Sequence, residues 1–166
     1  HNHTSTCAWS TYALTTSIQP RSPPQIMEIH PTDPLIYSEL GVIHYKQKNY
    51  KEAKKHHQEA LALCHPDASF WVVETILTNL AHACRKLKDY KSAISFLEQC
   101  VSLNAANPQT FFSLAFIYHL SGQLNKAISF YHKSLKFKHD NQFAQEMLQK
   151  ALTDASDLSW DAVYNY

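Results

Sequence analysis

The sequence predicts an all-α fold, a superhelical stack of helix–turn–helix repeats (an α-solenoid). Three observations carry that prediction. Small residues recur at a spacing of 34, from Ala81 to Ala115 and from Ala93 to Ala127, and self-similarity at such a period marks stacked supersecondary units. Within three units the paired small residues stand 12 apart: Gly41 and Ala53, Ala81 and Ala93, Ala115 and Ala127. Only two glycines occur in 166 residues, too few for the turns of an all-β chain or for a glycine-rich phosphate loop.

Along the chain, residues 1–25 are the least regular. Ala8-Trp9-Ser10-Thr11-Tyr12-Ala13 is patterned like the first helix of a repeat, and Ile26, Ile29 and Pro31 like the end of a second helix. Ala13 to Gly41 is only 28, however, and Pro20, Pro23 and Pro24 would break a helix between them. This segment is therefore expected to be a degenerate or truncated repeat, or a linker.

The repeat array is expected over residues 26–153, as about three repeats and a capping helix. Each first helix places three residues on one face at i, i+3 and i+4: Tyr37, Leu40 and Gly41; Leu77, Leu80 and Ala81; Phe111, Leu114 and Ala115. The small third member lets the next helix approach, and a bulky replacement would overpack that contact at a cost of roughly 1–3 kcal/mol. The second helices repeat an i, i+4, i+7 set: Ala53, His57 and Ala60; Ala93, Leu97 and Cys100; Ala127, Tyr131 and Ser134. Asp33-Pro34 and Asn107-Pro108 each put a capping side chain before a proline at the first helical position. Gly122 falls in an inter-helix turn suited to a left-handed cap.

Gly41 to Ala81 is 40, so the first unit carries six extra residues, expected around Cys64–Phe70 as a longer second helix or loop. Phe143, Met147, Leu148, Ala151 and Leu152 form one amphipathic stripe, the helix a solenoid needs over its last apolar face. Residues 154–166 are expected to be a C-terminal tail, with Leu158, Trp160, Val163 and Tyr164 as its apolar content.

Composition narrows the function classes. A formal net charge of +1 gives no field directed at nucleic acid or an anionic membrane. No run of eighteen apolar residues occurs, so no membrane span is expected, and the N-terminus lacks the pattern of a signal peptide. The chain begins with His1, as a fragment, a processed form or an expression product would. Cys7, Cys64, Cys84 and Cys100 include no C-x-x-C pair, which favours reduced, packed thiols over a zinc or redox motif.

Catalytic and metal signatures are missing. His56 and His57 are adjacent and point about 100° apart on a helix, and no H-E-x-x-H or paired Cys/His spacing occurs. His82 and Cys84, two apart, do not share a helix face. There is no G-x-S-x-G and no convergent carboxylate pair. The chain is expected to be non-enzymatic, with no cofactor and no metal.

The repeat fits the tetratricopeptide (TPR) pattern, small and aromatic positions included, from about Asp33 to Asn141. Beyond that, Asn79-Leu80-Ala81-His82-Ala83-Cys84-Arg85-Lys86-Leu87-Lys88-Asp89-Tyr90 resembles a characteristic segment of the cell-division-cycle-sixteen type of TPR subunit of the anaphase-promoting complex. Ala105-Ala106-Asn107, Phe116-Ile117-Tyr118-His119, Gly122-Gln123-Leu124, Tyr131-His132 and Asp140-Asn141-Gln142-Phe143 agree with it, as do the longer first unit and the boundary at Ile29-His30-Pro31-Thr32-Asp33-Pro34.

The resemblance implies a scaffold subunit of an E3 ubiquitin ligase of the cell cycle, active in mitosis and located in nucleus and cytoplasm. Its partners would be other subunits of the complex. One of them, a very small subunit, would lay its N-terminal segment in the concave groove. The family's homodimer forms through repeats further N-terminal, which this sequence largely lacks.

Family groove offsets fall on Ser38, Glu39, Val42, Tyr45 and Lys46, then on Thr78, Asn79, His82, Arg85 and Lys86, then on Phe112, Ser113, Phe116 and His119. Of these, Tyr45, Asn79, His82, Arg85, Lys86, Phe112, Ser113, Phe116 and His119 are the candidate partner-binding residues. Asn79 offers an amide to a peptide backbone, and Arg85 and Lys86 a charge to a carboxylate. The alternative is a TPR cargo or chaperone adaptor unrelated to ubiquitin ligation. A chaperone clamp would need Lys, Arg and Asn where this chain has Ser38, Val42, Gln109 and Ser113. A motor-cargo adaptor repeats near 42 residues, against 34 here.

Overall fold

The computed structural model describes residues 32–164, with side chains described through residue 157. Every element among these residues is a helix: α1 (Pro34–Lys46), α2 (Tyr50–Leu63), α3 (Phe70–Lys86), α4 (Tyr90–Leu103), α5 (Pro108–Leu120), α6 (Leu124–Phe137) and α7 (Gln142–Tyr164). The helices pair as α1–α2, α3–α4 and α5–α6, each pair stacks on the next, and α7 lies on α6 and α5. The degenerate repeat expected over 1–25 lies outside the described residues.

The starts and stops follow the predicted chemistry. Asp33 accepts a hydrogen bond from the Leu35 amide at 2.9 Å, and Asn107 accepts from the Gln109 amide at 2.9 Å, each ahead of a proline in the first turn. In all three pairs the turn is the same left-handed cap. The Lys48, Lys88 and Gly122 amides donate to Tyr45, Arg85 and His119, and the next amides, Asn49, Asp89 and Gln123, reach back to His44, Cys84 and Tyr118. The central residues have φ of 64°, 60° and 77°. Gly122 was legible as such a cap. Lys48 and Lys88 carried no glycine or asparagine signal.

The core lies between the helices of each pair and between pairs. Leu40, Gly41, Leu77, Leu80, Ala81, Phe111, Leu114 and Ala115 are buried, and so are all nine members of the second-helix set. Two bonds repeat with the unit. Ser134 donates to the Pro108 carbonyl at 2.8 Å, and the Cys100 thiol, one period earlier, donates to the Glu74 carbonyl at 3.7 Å. Among the described residues Cys64, Cys84 and Cys100 are free thiols, and burial raises the pKa of each.

One expectation about element boundaries is met in part and another is corrected. The six extra residues do not lengthen α2, which has 14 residues like α4 and α6. The loop at 64–69 is two residues longer than those at 104–107 and 138–141, and α3 has 17 residues against 13 in α1 and α5. The insertion thus adds a turn to the start of α3, carrying Phe70 and Trp71, both exposed. The predicted tail is likewise not separate, since α7 runs unbroken through Asp154 to Tyr164. Among its described side chains Ala144 and Ala151 are buried, while Phe143 and Leu152 are largely exposed, because those two lie about 180° apart on the helix, at the two edges of the stripe. Met147 and Leu148 pack on the core as expected.

Candidate functional site

The first helices of the pairs line one wall, and hollows open between them. Between α1 and α3 lies a hollow of about 400 Å³ lined by Val42, Tyr45, Lys46, His57, Asn79, His82 and Arg85. Between α3 and α5 a smaller one of about 150 Å³ is lined by His82, Arg85, Gln109, Phe112, Ser113, Phe116 and Ile117. A third, of about 260 Å³, runs from Asn79 and Gln109 to the added turn of α3, past Glu74, Thr75, Thr78, Asn107 and Thr110 to Trp71. The first two share His82 and Arg85, and Asn79 joins the first to the third. The three form one continuous groove.

Seven of the nine sequence-predicted residues line these hollows. Ser113 contributes little surface, being 6% exposed. Phe112 and Phe116 stack at 6.2 Å between centroids, and Phe112 also meets Phe143 of α7 at 5.4 Å. The Arg85 guanidinium lies 5.5 Å from the centre of the Phe116 ring, which holds its charge at the junction of two hollows. The other two residues stand apart. Lys86 lays its ammonium over the Tyr50 ring at 5.9 Å. The Nε2 of His119 is held 2.8 Å from an Asp154 oxygen, and its Nδ1 lies 3.5 Å from the Tyr131 hydroxyl. That triad ties α5, α6 and α7 together. Burial pushes the Tyr131 phenol far above its ordinary range, so it stays a neutral internal bond.

Sequence reasoning missed His57 as a site residue. It occupies the core position held by Leu97 and Tyr131 in the later units, yet its ring forms part of the largest of these three hollows. It is 1% exposed and its Nδ1 is buried without a partner. The ring lies flat on Gly41, where an added Cβ would come within 2.6 Å of it. Burial and the neighbouring His56 push its pKa down to about 4, and burial with Arg85 lowers that of His82. At neutral pH the groove therefore offers two uncharged imidazoles, two amides, two cations and an aromatic pair, with no carboxylate lining the first two hollows. This chemistry suits hydrogen bonding to an extended peptide and burial of apolar side chains.

Comparison with known proteins agrees with this architecture. Two family models, both described as tetratricopeptide repeat, match residues 33–106 and 108–141. Anaphase-promoting complex subunit 6 of Arabidopsis thaliana is 44% identical over 130 residues, covering 78% of this chain and 24% of that protein. Anaphase-promoting complex subunit CDC16 of Saccharomyces cerevisiae is 35% identical, over 81% of this chain and 16% of its own. The human cell division cycle protein 16 homolog is 32% identical, over 75% and 20%. The chain thus spans about a quarter or less of the curated relatives it matches. A chain in the crystal structure of the APC/C hetero-tetramer Cut9–Hcn1 superposes with a TM-score of 0.74 at 29% identity, over 78% of this chain and 25% of that one. The first TPR of Spaghetti (RPAP3), solved with an HSP90 peptide, shares the fold at a TM-score of 0.66 and 22% identity, over 75% of this chain and 94% of that one. The chain belongs to the tetratricopeptide-repeat family and is homologous to the APC6/CDC16 subunits of the anaphase-promoting complex.

Proposed function

We propose that this chain is a non-catalytic scaffold segment of an anaphase-promoting complex, working in nucleus and cytoplasm, and that its groove holds the extended N-terminal segment of a small partner subunit. The relatives' names support membership of the complex. The observation that carries the groove reading is the continuity of the hollows through Asn79, His82 and Arg85. An extended peptide has a backbone donor and acceptor at nearly every residue. Asn79 can meet both, and the neutral imidazoles accept or donate without a charge to desolvate. The Phe112–Phe116 pair receives an apolar side chain.

The test is calorimetric titration of the chain with a synthetic peptide of the partner subunit's N-terminal residues. Asn79→Ala with Phe116→Ala is expected to weaken binding at least about tenfold, as loss of two central contacts does elsewhere, with helical content by circular dichroism unchanged. Equal affinity in the double variant would sink the assignment.

A further inference from the structure

Four lysines stand where backbone physics disfavours them, all on one edge of the stack. The pattern Lys-x-Lys-x-Tyr-Lys occurs twice, at 46–51 and 86–91, across the turns joining α1 to α2 and α3 to α4. All six lysines are exposed. Lys46 and Lys86 lie in the last turn of a helix, where the dipole favours a cation, and need no further account. Lys48 and Lys88 adopt φ of 64° and 60°, a region in which a Cβ is strained and glycine is not. The third unit places Gly122 there. Lys51 and Lys91 lie in the first turn of α2 and α4, against the positive end of the dipole. The third unit has Asn125 at that position.

A hollow of about 350 Å³ sits on this edge, lined by Lys48, Asn49, Tyr50, Lys51, Glu52 and Leu87. Tyr50 and Leu87 give it an apolar floor, and Lys86 reaches across from the second turn to within 5.9 Å of the Tyr50 ring. Of the carboxylates here, Asp89 is already paired with Lys54 at 2.9 Å, leaving Glu52. The edge is a cationic strip with an apolar notch.

We propose that this edge docks an acidic stretch of another polypeptide, seating one apolar side chain in the Tyr50–Leu87 notch with Asp or Glu residues on either side. Helices α1 and α3 pack directly, so their ends stand about 9 Å apart. An extended chain advances about 3.3 Å per residue, so carboxylates about three residues apart meet both lysine clusters. Apart from Lys46 the surface shares no residue with the groove hollows, so it stands or falls independently of the peptide-groove reading. Nucleic acid would also be drawn to the lysines, but a net charge of +1 supplies little long-range attraction.

The experiment uses the full chain and a labelled peptide with a leucine flanked by Asp and Glu, followed by fluorescence anisotropy at low and physiological salt. A single-stranded oligonucleotide of matched charge is the comparator. The expected result is peptide binding that weakens with salt and falls about tenfold in a Lys48→Gly, Lys88→Gly variant, while that variant's melting midpoint rises because backbone strain is relieved. A Lys136→Gln, Lys138→Gln variant, altered at exposed positions on the opposite edge, keeps full affinity. The proposal is overturned by no peptide binding, by equal loss in both variants, by unchanged affinity in the glycine variant, by a lowered midpoint in that variant, or by oligonucleotide binding as tight as peptide binding.

Discussion

His57 places a titratable ring where the later units bury a leucine and a tyrosine. In the unfolded chain it takes up a proton near its ordinary value of 6.5, whereas in the fold it does so only near 4. The folded state thus holds fewer protons between those values, and its stability falls as pH is lowered through that window. The full contribution is present above pH 6.5, and up to about 3 kcal/mol of it is gone by pH 4. The lowered pKa of His82 adds to the slope in the same sense. Urea unfolding across that range should show the decline, and His57→Leu should flatten most of it. A slope unchanged in that variant would mean that another group carries it. Gly41 explains why the position tolerates a ring at all: with no side chain, it lets the imidazole lie against the α1 backbone.

Helix α7 closes the stack with its small residues buried deepest. Ala144 and Ala151 are fully buried and Phe143 is 56% exposed. An aspartate at 151 would bury a charge without a partner, and Ala151→Asp should cost about 3 kcal/mol or more in a chemical denaturation curve. Phe143→Asp should cost under about 1 kcal/mol. The reverse order would mean that Phe143, and not Ala151, lies at the centre of the docked face. The large apolar residues of α7 were the legible signal, and Met147 and Leu148 do pack on the core, but Phe143 and Leu152 flank the docked face because closeness of approach, not side-chain size, decides what lies at its centre. The added turn of α3 was hidden for a related reason. A six-residue excess can be counted, but its division between loop and helix depends on what Phe70 through Val73 find to pack against, and that is a tertiary fact.

At the scale of the molecule, each helix touches its neighbours in sequence, and at one remove α1 touches α3 and α5 touches α7. The architecture could therefore be read from local spacing alone, the property that makes solenoids close to one-dimensional. Much of the groove was legible for the same reason, since equivalent offsets in consecutive units face one wall. What was not legible depended on longer reach. His119 is drawn off by Asp154, 35 positions later, and Lys86 by a ring in the preceding unit.

The extra turn of α3 extends that helix by about 6 Å at 1.5 Å per residue, and at its tip the Trp71 indole borders the end of the groove while remaining 57% exposed. It is a built-in optical reporter. With Trp9 and Trp160 changed to Phe, it becomes the sole strong emitter of the chain's three tryptophans. A peptide threaded past Asn79 to this end should displace water from the indole and shift its emission to the blue, and one confined to the α1–α3 hollow should leave the colour alone.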